Sequence, residues 1–432
     1  MSSPVTTARS WPVFQGGKSL QMAGFGLGAL GLAGTAARAF LPDGARVALH
    51  AYVIAFAYWL GLALAAILLL AIWHAAKAKW VVAIRRPVEI IAATVPLFLV
   101  LFVPIVLGMK KLYPWALGPD FAHLGEEEMH LIHHREHWLN PTTYVVRAGL
   151  YFAVWIVVSM VLTGSSFKQD KQADTKLTER MWKWGPGALP LLGITVAFAA
   201  FDWLMSLATV WYSSMWGVYY FAGSFVALFA LLILVLRSLS MDPSFKGAMR
   251  VTHWLSTGQF LLAFTAFWGY IAFDQYMLTF VANLPDSTPF LIARQTGPWK
   301  FVGFALMFGH FVVPFFVLLS RKLKTQPNRI RFVAMWILFI HYVDLYWCVM
   351  PQISPSWATP DWSNLTAFLG VGGLAVGVAV FIFRGKSAVP VNDPFLAASL
   401  AYATVTAGTG YLTDSASHDV AGTGTSAESH QP

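Results

Sequence analysis

Five side chains in this sequence carry chemistry where the surrounding residues offer them little support: Asp202, Asp274, His310, His341 and Asp344. Each lies in an apolar run long enough to cross a bilayer. A carboxyl group in such a run costs roughly 2.5 kcal/mol or more on insertion scales, so it must face a protein interior or a wet cavity. Burial there raises its proton affinity, and a neighbouring imidazole can pass the proton on. The chemistry expected is proton exchange, with Asp202, Asp274 and Asp344 at a similar depth and His310 and His341 extending a relay inward. The competing reading of the same acids is a hydrogen-bonded clamp between helices, or an ion pair with Arg147, without transport. His341 and Asp344 are three residues apart and share a helix face that Cys348 continues, and Tyr270 and Asp274 share a face in the same way. Such faces are expected to turn inward.

The elements that must position these groups are about ten apolar runs: residues 20–37, 47–73, 87–109, 144–164, 186–208, 214–239, 254–280, 299–319, 330–350 and 365–383. Hydrophobic residues make up 57% of the chain and charged residues 11%, against about 25% charged in soluble domains. The sequence therefore predicts an all-α, polytopic integral membrane protein of about ten transmembrane helices. Residues 1–19 form a polar N-terminal segment, 20–385 the transmembrane domain and 386–432 a Ser/Thr/Gly/Ala-rich tail expected to be disordered. Pro96 and Pro104 should bend the third span. The basic stretch 75–86 is expected to lie in the membrane interface.

The net charge of +9 does not signal nucleic acid, because the basic residues sit in the connections between apolar runs. With ten spans, 21 Lys and Arg fall on the side of the two termini and 8 on the other. The positive-inside rule then puts both termini in the cytoplasm and the loop 110–143 outside. That loop carries His130, His133, His134 and His137, at helical ligand spacing but without the HExxH order of a zinc site, so a partner contact is the preferred reading and no metal is assigned. Gly26-x-Gly28-x-x-Gly31 matches a dinucleotide fingerprint, yet no strand precedes it; close helix packing through small residues accounts for it better. Only His310 is central in its span, which argues against a haem held by two helices. Cys348, the single cysteine, excludes an intramolecular disulfide.

The order FDWLMSL (201–207), WYSSMWGVYYFAGS (211–224), FWGYIAFDQYMLTFVANLPDST (267–288), FGHFVVPFFVLLSRKLK (308–324) and HYVDLYWCVMP (341–351) resembles the ActF subunits of bacterial alternative complex III, within the NrfD-like (polysulfide reductase membrane subunit) family. The resemblance covers residues 20–385. It implies two four-helix bundles with flanking helices in the bacterial inner membrane, and a place in a quinol oxidoreductase serving cytochrome c or a terminal oxidase. It further implies a multihaem cytochrome c, an Fe–S protein and a sister NrfD-like subunit, ActC, as partners. Haem c and Fe–S clusters would reside in those partners, with none bound by this chain, and quinol would bind at or near it. Where relatives tend to carry Pro-Glu-Glu, this chain departs with Pro285-Asp286-Ser287. Two further readings remain open: a secondary transporter with a buried acidic site, and a purely architectural membrane subunit.

Overall fold

The structure, a computed structural model, describes residues 11–117, 125–208, 211–283, 288–354 and 359–403, with the short segments 405–406 and 410–411. Helices dominate it. The first is α1 (Lys18–Ala39), followed by α2 (Gly44–Ala75). The third apolar run is divided into α3 (Val82–Ala92), α4 (Val95–Leu101), α5 (Val103–Leu107) and α6 (Met109–Leu112). Pro96 and Pro104 stand in the first turns of α4 and α5, where a missing N–H and a fixed φ are tolerated, so the expected bends appear as helix restarts. Next come α7 (Glu126–His134), α8 (Pro141–Gln169), α9 (Thr175–Trp203) and α10 (Trp216–Leu239). Asn140 caps α8 and Asp174 caps α9 through their side-chain oxygens.

The second half of the chain begins with α11 (Val251–Ala282) and the short α12 (Thr288–Gln295). The eighth apolar run forms α13 (Trp299–Leu306) and α14 (Val313–Leu319), joined through a π-helical turn at Met307–Val312. Then follow α15 (Arg321–Lys324), α16 (Pro327–Val349), α17 (Trp362–Phe383) and α18 (Leu396–Leu400). Among the described residues, nine helical stretches are long and apolar enough to cross a membrane; α11, predicted as a span, is not one of them although it has 32 residues. Its His253, Gln259, Asp274 and Gln275 lower its apolarity.

The helix ends gather into two polar layers. One contains the start of α1, the α2–α3 and α8–α9 connections and residues 384–403, joined by contacts such as Phe14 N–H to Lys386 O at 2.8 Å and Arg86 to Asp170 at 2.6 Å. The opposite layer joins Arg38 to Asp361 at 3.1 Å, Trp138 to Asp202 at 3.2 Å and Trp299 to the Ser354 carbonyl at 2.8 Å. α2 runs between the layers and is buried along its whole apolar length. A helix apolar all round suits a position enclosed by other helices or by lipid; here other helices enclose it.

α1 and α17 are joined through glycine. A Cβ at Gly31 would stand 2.4 Å from the Gly370 nitrogen and 2.5 Å from the Thr366 carbonyl oxygen, and one at Gly24 would meet Gly377 and the Gly373 carbonyl at 2.9 Å. Two of the three glycines in the fingerprint-like motif, Gly28 and Gly31, thus serve helix packing, whereas Gly26 faces open space.

Two expectations are corrected. Residues 81–86 do not lie on a membrane surface; they are buried, because Arg85 and Arg86 both find carboxylates inside the protein. The chain does not lose structure at residue 386 either. Ala388, Val389 and Ser399 are fully buried, Asp393 pairs with Arg85 at 2.9 Å, and the Ser399 hydroxyl donates to the Trp80 carbonyl while accepting from the Ala83 N–H. A composition poor in large apolar residues is ordered here by polar contacts to the bundle.

Replacing Gly31 by leucine should lower the thermal unfolding midpoint of the detergent-solubilised chain by several degrees, since overpacking of this kind costs about 1–3 kcal/mol. Gly26→Ala in the same helix should leave the midpoint unchanged or slightly raised; equal losses in both variants would show that glycine packing is not what joins these helices.

Candidate functional site

The five predicted residues separate into three settings. Asp202, at the last turn of α9, is buried, and both carboxylate oxygens are engaged. Oδ1 accepts from Arg147 Nη2 at 2.8 Å and Trp138 Nε1 at 3.2 Å; Oδ2 accepts from Arg147 Nε at 2.8 Å and the Tyr151 hydroxyl at 2.9 Å. The guanidinium also lies over the Trp138 ring, 4.2 Å from its centroid, and donates to the Trp138 carbonyl. Four donors, two of them from a bidentate arginine, fill both oxygens of one carboxylate. This is the clamp reading, and it ties α8 to α9.

Asp344 is held differently. It is buried on α16 and accepts a short hydrogen bond from the Tyr219 hydroxyl of α10 and one from Trp268 Nε1 of α11 at 3.2 Å. Among the described residues no arginine or lysine pairs with it. One turn before it, His341 presents Nδ1 at 3.9 Å from Asp344 Oδ2, outside hydrogen-bond range, and that nitrogen meets no other protein partner. His310 completes the group from the π-helical turn between α13 and α14. Its ring lies 3.8 Å from the Trp268 ring and 5.9 Å from that of His341, centroid to centroid, and it has no solvent exposure. Neither of its nitrogens reaches a hydrogen-bonding group among the described residues. The π-helical turn supplies the reason for this placement: one extra residue in the turn shifts the helix face and aims the imidazole at α11 and α16. Gly223 of α10 provides the room, since a Cβ there would stand 2.9 Å from His341 Cε1.

Asp274, six residues beyond Trp268 on α11, does not join this group. It is half-buried, and among the described residues no hydrogen bond or ion pair reaches it. Tyr270, expected to share an inward face with it, is exposed, as are Phe273 and Met277. The inward-facing expectation therefore holds for the His341/Asp344 face and not for the Tyr270/Asp274 face. The buried residues of α11 end at Ile271; in its last third only Ala272, Asp274, Gln275 and Thr279 are half-buried, with Gln275 accepting from the Ser213 hydroxyl at 2.6 Å.

Sequence reasoning missed the partners more than the acids. Tyr219 and Trp268 look like ordinary aromatic residues of apolar helices; only the rule that a buried indole N–H or phenol O–H needs an acceptor could have singled them out. Arg294 was also overlooked. It is buried in α12, where its guanidinium caps the end of α16 by donating to the Trp347 carbonyl at 3.2 Å and the Cys348 carbonyl at 2.7 Å, as well as to the Phe290 carbonyl of its own helix at 2.9 Å. Burial pushes its pKa down to about 9, and a cation at a helix C-terminus is favourably placed.

At the other polar layer, Arg85 and Arg86 share Glu89, while Arg85 also pairs with Asp393 and Arg86 with Asp170. Burial pushes the Asp170 carboxyl up to about 6 against the opposing pull of Arg86. The residues His130, His133, His134 and His137 lie on or just after α7; His130, His133, His134 and His137 are all exposed. No cluster of three or more His, Cys, Asp or Glu side chains suited to a metal occurs among the described residues. Pro285, Asp286 and Ser287 lie outside the described residues.

Fold and site together define a multi-pass helical membrane protein with a dry-walled polar group at the junction of α10, α11, α16 and the π-helical turn. No protein-family model matches the sequence, and no curated protein matches it.

Removing Arg147 would leave Asp202 buried and uncompensated, a change that costs about 3–5 kcal/mol in buried pairs. Arg147→Leu should therefore sharply reduce the yield of folded chain and its unfolding midpoint. The double variant Arg147→Leu with Asp202→Leu should recover much of that loss. A double variant no more stable than the single one would remove the ion pair as the source of the effect.

Proposed function

We propose that this chain is an integral membrane subunit of a quinol:electron-acceptor oxidoreductase of the alternative complex III type, one that carries no redox centre of its own and supplies a proton path beside the quinol chemistry. The observation that carries this reading is the arrangement of Asp344, His341 and His310. An acid with no arginine or lysine on it among the described residues lies one helix turn from His341, whose ring is 5.9 Å from that of His310, and His341 Nδ1 and both His310 nitrogens have no hydrogen-bond partner there. Groups of this kind exchange protons, whereas a structural clamp needs its donors filled, as at Asp202.

The route runs through this chain's own atoms. Tyr219 and Trp268 hold the Asp344 carboxyl in place and share its negative charge when it is ionised. From Asp344 Oδ2 a proton must cover 3.9 Å to His341 Nδ1, a distance closed by a side-chain rotation or an inserted water, and His310 stands next in line toward the middle of the protein. Partner subunits would hold the haem c and the Fe–S clusters, and the sister NrfD-like subunit, ActC, would bind quinol or share it with this chain.

Topology fits the same reading. The backbone of Phe14 pairs with Lys386 and Gly385, so the start of α1 and the end of α17 lie in one polar layer. An even number of crossings, with α11 as the tenth span, fits that arrangement and, on our reading, puts both termini on the side rich in Lys and Arg, the cytoplasm by the positive-inside rule.

The architectural alternative has its own support in the Asp202 clamp, and one experiment separates the two. The chain purified gently from its native membranes should arrive with haem-containing and Fe–S partners. In that assembly, Asp344→Asn should cut coupled turnover at least tenfold and Tyr219→Phe by a smaller factor, with haem content unchanged. Full turnover and an unchanged proton-to-electron ratio in Asp344→Asn, with assembly intact, would leave only the architectural role; isolation as a lone chain with substrate-dependent flux would point to a transporter.

A further inference from the structure

Asp274 presents a problem that the proton path does not solve. It lies eight residues, about 12 Å at the α-helical rise, from the end of α11. Around it Tyr270, Phe273, Met277 and Leu278, its neighbours at one helix turn and beside it, are exposed, and none of the residues 272–282 is buried. Lipid chains would cover the aromatic and aliphatic side chains of this face at no cost. They would do nothing for the carboxyl group, which among the described residues has neither a hydrogen bond nor an ion pair, although the other acids described within the apolar runs are paired: Glu89 with two arginines, Asp202 with Arg147, and Asp344 with Tyr219 and Trp268. An acid left alone on an apolar helix face is complementary to a cation brought by something else. Lipid headgroups supply cations only at the surface, not two helix turns below the end of the helix.

We propose that the outer third of α11 is the docking face for a transmembrane helix of a different polypeptide, which presents a lysine or arginine to Asp274 and packs its apolar side chains against Tyr270, Phe273 and Met277. Pairing in this low-dielectric setting gives specificity as well as stability, because a helix without the basic residue leaves the acid unsatisfied. The docking face needs no assumption about electron transfer and stands apart from the Asp344 group, which is reached from the opposite side of α11 through Trp268.

The test places a photoreactive benzoylphenylalanine at Phe273, and separately at Met277, in the full chain expressed in its native membranes. Phe332, an exposed residue of α16 away from this face, serves as the control position. Illumination is expected to give one discrete adduct with another polypeptide from Phe273 and Met277 and none from Phe332. The crosslinked peptide should be apolar and carry a lysine or arginine within one turn of the attachment point. Adding Asp274→Leu should lower the adduct yield at least tenfold, while Asp274→Glu, which keeps the charge, should retain most of it at equal expression of the chain. Adducts with lipid alone, an adduct between two copies of this chain, a crosslinked helix without a basic residue, or a yield indifferent to Asp274→Leu would each overturn the proposal.

Discussion

One helix sets the terms for all the others. α2 is 32 residues long, apolar on every face, and nearly all of its length is buried. It is the axis of the bundle: α1, α3, α8, α9, α10, α16 and α17 are arranged about it, so it meets protein rather than lipid on all sides. Enclosure has an electrostatic consequence. Most side chains of this wall are Ala, Ile and Leu and offer no hydrogen bonds, so a polar group that turns inward has to reach a backbone carbonyl or a partner on another helix. Only a few points along the axis allow it: Tyr58 and Tyr220 exchange contacts with backbone carbonyls across the bundle, and the larger polar groups are pushed toward the two ends.

Two buried acids show how the same constraint gives different surroundings. Asp202 meets a guanidinium and two aromatic donors. Asp344 meets a phenol and an indole, both neutral, with His341 Nδ1 3.9 Å away. The first acid is therefore tied into an ion pair between helices, and the second is held by neutral donors. The difference comes from which helix approaches: α8 brings an arginine to Asp202, while α10 and α11 bring aromatic side chains to Asp344.

Much of this was legible in the chain. Apolar runs of spanning length gave most of the helices to within a few residues, although α9 begins at Thr175, eleven residues before its run, and the third run is divided among four helices; Pro96 and Pro104 marked real restarts, and the three-residue spacing of His341 and Asp344 correctly placed both on a buried face. The identity of the partners was not legible, because Tyr219 and Asp344 are separated by 125 positions and Arg86 and Asp170 by 84; no local pattern encodes such distances. Asp274 was misread for a related reason. A rule about the cost of a carboxyl group in a membrane says that it must be covered, not that its own chain covers it. The Arg85/Arg86 segment was misread because its amphipathic charge pattern is the same whether the arginines meet lipid headgroups or Glu89 and Asp393.

The glycine seam between α1 and α17 also bears on how the protein is made. α1 leaves the ribosome well before α17, the helix to which it is matched, and its glycines have nothing else of comparable fit to pack against until some 330 residues later. Closing such a long loop carries little extra entropic cost at equilibrium, since that cost grows only with the logarithm of loop length. In time, however, it is a long wait: at about 5–20 residues per second, roughly a quarter of a minute or more passes before the partner is synthesised. Throughout that interval the small-residue face of α1 is exposed to every other helix in the membrane. A chain that stops short of Phe383 therefore lacks more than its end; it leaves its beginning permanently available for the wrong contact.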